Sequence, residues 1–174
     1  MFNLNFKKIL FNGIWNSGDE VTNPPQFEIL TNVIDVNGTT KQIGSPTSSS
    51  DAQDTFSSVI HALNRLEKNA VSANVGQSYF KLGTGTTTPT EDDYNIETEA
   101  SDLVINQVTQ TTTPTFEKAY NLNITNTGSS PITLSEVVQV LRVYGDDDIA
   151  ISRTLTAVSF AAGETKTIMV GVSL

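Results

Sequence analysis

The side chains of this 174-residue chain that could do chemistry are few: one histidine, His61, no cysteine, and two crowded acidic runs. Without a thiol or a second imidazole there is neither a thiolate nucleophile nor a usual zinc ligand set, and His61 has no triad partners at any recognisable spacing. An ordinary histidine at the boundary of a helix accounts for it. Gly83-Thr84-Gly85 has the look of a phosphate-cradling loop, but it lacks the third glycine, the Lys-Ser/Thr ending and a following helix, and it stands beside Glu91-Asp92-Asp93. A turn next to a strand is the better reading. The carboxylates Glu91, Asp92, Asp93, Glu97, Glu99 and Asp102 form the denser acidic cluster, and Asp146-Asp147-Asp148 the second, in a hairpin loop. Loop carboxylates can hold calcium, so a structural Ca2+ on Asp146, Asp147 and Asp148 is the rival reading, although neither run has the EF-hand spacing of donors. Asp also favours turns, and crowded like charges favour water, so both runs are expected to be solvated loops without a catalytic role. Paired carboxylates for glycoside cleavage would need aromatic platforms, and the single tryptophan, Trp15, is far from them in sequence. These residues imply no enzyme, no cofactor and no bound metal.

The elements that would position such groups are mostly strands. Phe116, Lys118, Tyr120, Leu122 and Ile124 alternate onto one face, and Thr125-Asn126-Thr127-Gly128-Ser129-Ser130-Pro131 then closes the run, the pattern of a half-buried antiparallel strand ended by a turn. Five further runs share this grammar: Tyr79–Leu82, Ser101–Val108, Ile132–Tyr144, Ile149–Val158 and Thr165–Leu174. Six strands predict a sandwich. In the fourth of them, Ile132 to Tyr144, apolar residues occur on both faces, which fits a central strand or a bulge near Glu136 that shifts the phase.

Upstream, Phe27–Val36, Asn37-Gly38 and Thr39–Ile43 read as a hairpin over about 27–43 with a two-residue turn. Phe56, Val59, Ile60, Leu63 and Leu66 recur at helical spacing behind a capping-box pair, Ser50 and Gln53, and predict one amphipathic helix over about 51–69. The fold expected is therefore mainly β: an immunoglobulin-like or jelly-roll-type antiparallel β-sandwich in residues 76–174, preceded by an N-terminal extension, residues 1–75, that holds the hairpin and the helix. Phe2, Phe6, Phe11 and Trp15 crowd a segment too short to bury them alone, so the extension is expected to anchor the chain on other subunits or on copies of itself. Polar residues interrupt the apolar start, so no signal peptide is read there, and no run reaches the length of a membrane helix. A soluble protein made without Sec export is expected, with no membrane partner. The net charge is −9, with five bases against twelve acids in residues 76–174, and this repels a phosphate backbone. Nucleic acid is therefore not an expected partner.

Lys81–Glu97, with its Gly-Thr-Gly-Thr-Thr-Thr-Pro-Thr-Glu-Asp-Asp-Tyr core, resembles an element of small β-sandwich proteins encoded among the structural genes of tailed bacteriophages. Tyr120–Gly128, Ile132–Glu136, Ile151–Arg153 and Phe160–Thr167 are similar to that family's successive elements in the same order, so the resemblance covers roughly residues 79–174. It implies a virion component assembled in the host cytoplasm: a homo-oligomeric, non-enzymatic part packed on, or decorating, capsid, neck or tail through protein contacts. A carbohydrate- or other ligand-binding module of a fibre or cell surface is the alternative function class.

Overall fold

The computed structural model describes residues 31–43, 77–111, 118–143 and 147–172. Eight strands are found there: β1 (Thr31–Ile34), β2 (Thr40–Ile43), β3 (Gln77–Gly83), β4 (Leu103–Thr111), β5 (Lys118–Asn126), β6 (Ile132–Val143), β7 (Asp147–Phe160) and β8 (Thr165–Val172). The described part is thus mainly β, every pairing is antiparallel, and no helix occurs among the described residues. The expected helix over 51–69, His61, and the apolar residues Phe2, Phe6, Phe11 and Trp15 lie outside the described residues.

β1 and β2 form a two-stranded hairpin, and the other strands form two three-stranded sheets ordered β3-β6-β7 and β4-β5-β8. Pairing is nested. The β3–β6 pair encloses the β4–β5 hairpin in sequence, and the β5–β8 pair encloses the β6–β7 hairpin, so β5 and β6 are the central strands of their respective sheets. Between the two sheets lies a common apolar core of Phe80, Leu82, Leu103, Tyr120, Leu122, Ile124, Leu134, Val137 and Phe160, with the Phe80 and Tyr120 rings tilted at 58° and 5.4 Å apart. Alternation on β5 places Tyr120, Leu122 and Ile124 inward, as their spacing requires, and leaves Asn121, Asn123 and Thr125 on the opposite face.

Both sequence explanations for the two-sided apolarity of β6 hold together. The strand is central, and its register with β7 shifts between Leu134 and Glu136 and again between Gln139 and Val140. Leu134 and Val137, three residues apart, therefore both reach the core between the sheets, while Val138 and Val140 pack on the outer side with Tyr79, Ala150 and Val36.

Over the described residues 31–43, β1 and β2 pair as a hairpin whose turn differs from the two-residue expectation, and residues 27–30 of the expected span lie outside the described residues. The loop spans three residues, closed by Asp35 N–H donating to Thr39 O at 2.9 Å and Gly38 N–H donating to Asp35 O at 3.0 Å, with Gly38 at a positive φ of 79°. Asp35 explains the longer turn. Its Oδ1 accepts the N–H groups of Asn37 and Thr39 at 2.9 and 2.8 Å, an interaction that stabilises a type I turn followed by a left-handed glycine.

Two of the three crossings between these sheets, β5 to β6 and β7 to β8, are tied together by Asn126. Its Nδ2 donates to Ser130 O and Ala161 O at 2.8 and 3.0 Å, and its Oδ1 accepts Gly128 N–H at 2.9 Å. The backbone N–H of Asn126 also reaches Glu164 O, and Gly163, at φ 73°, donates back to Asn126 O. Thus the Asn-Thr-Gly and Ala-Gly-Glu turns, distant in sequence, stabilise one another.

Candidate functional site

The most highly built polar site lies on the outer side of the β3-β6-β7 sheet. Residues 84–99 leave β3, run without regular structure, and return to β4 after a single bridge between Gly83 and Glu99. This segment is here called the strap. Under it, the fully buried carboxylate of Glu136 accepts the N–H groups of Gly85 and Thr98 at 3.0 Å each and of Glu97 at 3.0 and 3.2 Å. Arg153, on the neighbouring strand β7 and 5% exposed, donates Nε to Glu136 Oε2 at 2.7 Å. The same guanidinium reaches Asp93 Oδ2 through Nη1 at 2.8 Å, and Glu97 Oε2 and Thr87 Oγ1 through Nη2 at 3.0 and 3.3 Å. Thr87 closes the circle by donating its N–H and its hydroxyl to Glu97 Oε2 at 3.0 and 2.8 Å.

An isolated buried carboxylate is strongly unfavourable unless donors replace its water, and here main-chain N–H groups and one guanidinium do so. The two glycines of the Gly-Thr-Gly stretch are what let the strap come close enough. A Cβ on Gly85 would stand 2.5 Å from Glu136 Oε1, and one on Gly83 would collide with Glu136 Oε1 and the Ile96 side chain. They are required for close approach to a carboxylate of the protein itself, not to a phosphate.

Electrostatics follow the same geometry. Burial works against ionisation of Asp93, but hydrogen bonds from Arg153 and from the N–H and hydroxyl of Thr90 outweigh it and hold the carboxyl below its ordinary value. Glu97 is lowered chiefly by the two Thr87 hydrogen bonds and then by Arg153. Arg153, despite burial that opposes its charge, is pushed up by Asp93 and Glu136. The cluster is a saturated ion network: its carboxylates serve as acceptors for an arginine and for backbone donors, an arrangement suited to fixing a segment rather than moving a proton.

Asp93, half-buried, and Glu97, exposed, belong to this network, contrary to a purely solvated run, whereas Glu91, Asp92, Glu99 and Asp102 are exposed and lie outside it. Asp146 lies outside the described residues. Asp147 and Asp148 open strand β7 rather than standing in a loop, and Asp148 receives a two-pronged contact from Arg142 Nε and Nη2, both at 2.8 Å. Burial and then the Asp148 carboxylate push the Tyr79 hydroxyl up, so it remains a protonated donor beside that pair. Among the described residues no group of three or more His, Asp or Glu side chains is placed to hold a metal ion. Sequence reading missed the partnership of Glu136 and Arg153, although a lone arginine in the otherwise uncharged stretch Ile149–Phe160 is a signal that a buried acid faces it. Comparison of the chain with protein-family models, with curated proteins and with solved structures gave no match.

Proposed function

We propose that this protein is a non-enzymatic structural component of a tailed-bacteriophage virion, an immunoglobulin-like or jelly-roll-type β-sandwich that packs on, or decorates, capsid, neck or tail and assembles with copies of itself and other virion proteins. One observation carries the reading. The stretches through which the chain resembles such proteins, Lys81–Glu97, Ile132–Glu136 and Ile151–Arg153, are widely separated in sequence yet meet in the Glu136–Arg153 network, where their polar groups hold one another. The resemblance thus rests on residues that act together as a structural lock, and a lock without a reacting group suits a packing module. The extension with Phe2, Phe6, Phe11 and Trp15 is assigned to anchoring on neighbouring subunits.

The glycan-binding alternative draws on a different observation. The outer face of the β4-β5-β8 sheet carries Asn106, Asn123, Thr125, Thr165 and Thr167, joined by side-chain hydrogen bonds of 2.6 to 3.3 Å, a polar surface that could meet sugar hydroxyls. Those groups already bond to one another, and the exposed ring of Tyr94 belongs to the strap, not to that face, so the virion reading is preferred. Labelled antibody against the protein should decorate purified phage particles at a fixed position and constant copy number in electron micrographs. Retention on a glycan array, with no protein in washed particles, would reverse the choice.

A further inference from the structure

Two covers meet over the outer side of the β3-β6-β7 sheet. The strap brings Ile96 onto Tyr79, Val138, Val140 and Ala150, and the turn of the β1–β2 hairpin brings Val36 onto the same cluster. Val36 also donates its N–H to Asp148 O at 2.8 Å. The covers touch each other as well, since a Cβ on Gly38 would stand only 3.4 Å from the Tyr94 ring of the strap. A two-stranded hairpin of four-residue strands is marginal by itself, so its order depends on this seat. Part of the seat, Ile96 and Tyr94, belongs to the strap, and the strap in turn is fixed by Arg153 and Glu136 rather than by a strand ladder.

We propose that strap and hairpin form one conformational latch with Arg153 as its catch: freeing the strap from Arg153 frees the hairpin, and opens the apolar outer face of Val138, Val140 and Ala150. The latch connects the N-terminal extension mechanically to the ion network, because the hairpin, Thr31–Ile43, lies within that extension.

Residue-resolved hydrogen exchange on the full-length chain tests it, with Arg153→Lys and Tyr94→Ala as the variants. Arg153→Lys keeps a positive charge but cannot span Glu136, Asp93 and Glu97 together. It should speed exchange of the strap amides Gly85, Glu97 and Thr98 and of the hairpin amides Val36, Gly38 and Thr39 by a common factor, roughly tenfold or more, while Leu122 and Ile124 of β5 stay protected. Tyr94→Ala should release the hairpin amides and leave the strap amides protected. The proposal fails if Arg153→Lys frees the strap amides alone, or if hairpin protection in Tyr94→Ala equals that of the wild type. Should Arg153→Lys also deprotect β5 by unfolding the whole domain, Tyr94→Ala decides by itself.

Discussion

Arg153 and Glu136 share one problem, a charge out of water, and each is the other's solution. Glu136→Gln leaves Arg153 its bonds to Asp93 and Glu97 but removes the buried charge that Arg153 Nε and three main-chain N–H groups face, so it should cost about 1–3 kcal/mol in denaturant unfolding. Gly85→Ala should cost about 1–3 kcal/mol, because the added methyl must displace the Glu136 carboxylate or the strap backbone; a melting temperature equal to the wild type would refute that close approach. The pH dependence has a definite sign. Asp93 and Glu97 have folded-state pKa values lowered from their ordinary ones, so the stability they supply is complete above the ordinary carboxylate range and is lost as pH falls through the lowered values. Unfolding midpoints measured from about pH 5 down to about pH 3 should therefore decline. The decline should be shallower in the Asp93→Asn, Glu97→Gln double variant, and an equally steep profile there would place the acid sensitivity elsewhere.

At the scale of elements, β5 is the clearest test of facing. Ile124 is fully buried between the sheets and Asn123 points to the other side, so Ile124→Ala should lose about 2–5 kcal/mol. Asn123→Ala, at a partly exposed position whose bonds go to Asn106 and Thr167, should lose no more than about 1 kcal/mol. Coincident denaturant midpoints would mean that the register of β5 is wrong. The second acidic run also behaves as part of an element. Asp148 is held by Arg142 inside the β6–β7 ladder and its main-chain oxygen receives the hairpin, so Asp148→Asn should lower the melting temperature, whereas a chelator should leave the wild type unchanged. A chelator-induced fall that disappears in the Asp146, Asp147, Asp148 triple Asn variant would instead establish a calcium site.

For the whole molecule, the hairpin's docking on the outer sheet changes how the extension should be cut. Removing residues 1–30 leaves β1 and β2 in place over Val138 and Val140, whereas removing residues 1–47 strips that apolar face of Val36. The shorter deletion should therefore fold with wild-type hydrogen-exchange protection in β5 and β6 yet fail to join assembled particles. Incorporation at full copy number would remove Phe2, Phe6, Phe11 and Trp15 as anchors. The longer deletion should be the less stable of the two in denaturant.

Much of the strand content was legible from the chain, because a strand writes its facing into alternate residues: Tyr120, Leu122 and Ile124 inward, Asn121, Asn123 and Thr125 outward. Turn chemistry was equally local, and Asn37-Gly38, Asn126–Gly128 and Gly163-Glu164 all mark real reversals, although the length of the first depended on the side chain of Asp35. What local pattern cannot carry is the pairing of distant segments. Nothing in the spacing of Gly83, Gly85, Asp93 and Glu97 names Glu136 or Arg153 as their partners, since those contacts span 39 to 60 residues. The nested order β3-β6-β7 and β4-β5-β8 brings them together, and only then do two glycines become a seat for a carboxylate and an acidic run become half of an ion network. Alternation and turn propensity act between near neighbours along the chain, whereas desolvation of a charge is decided by whatever the folded chain places around it.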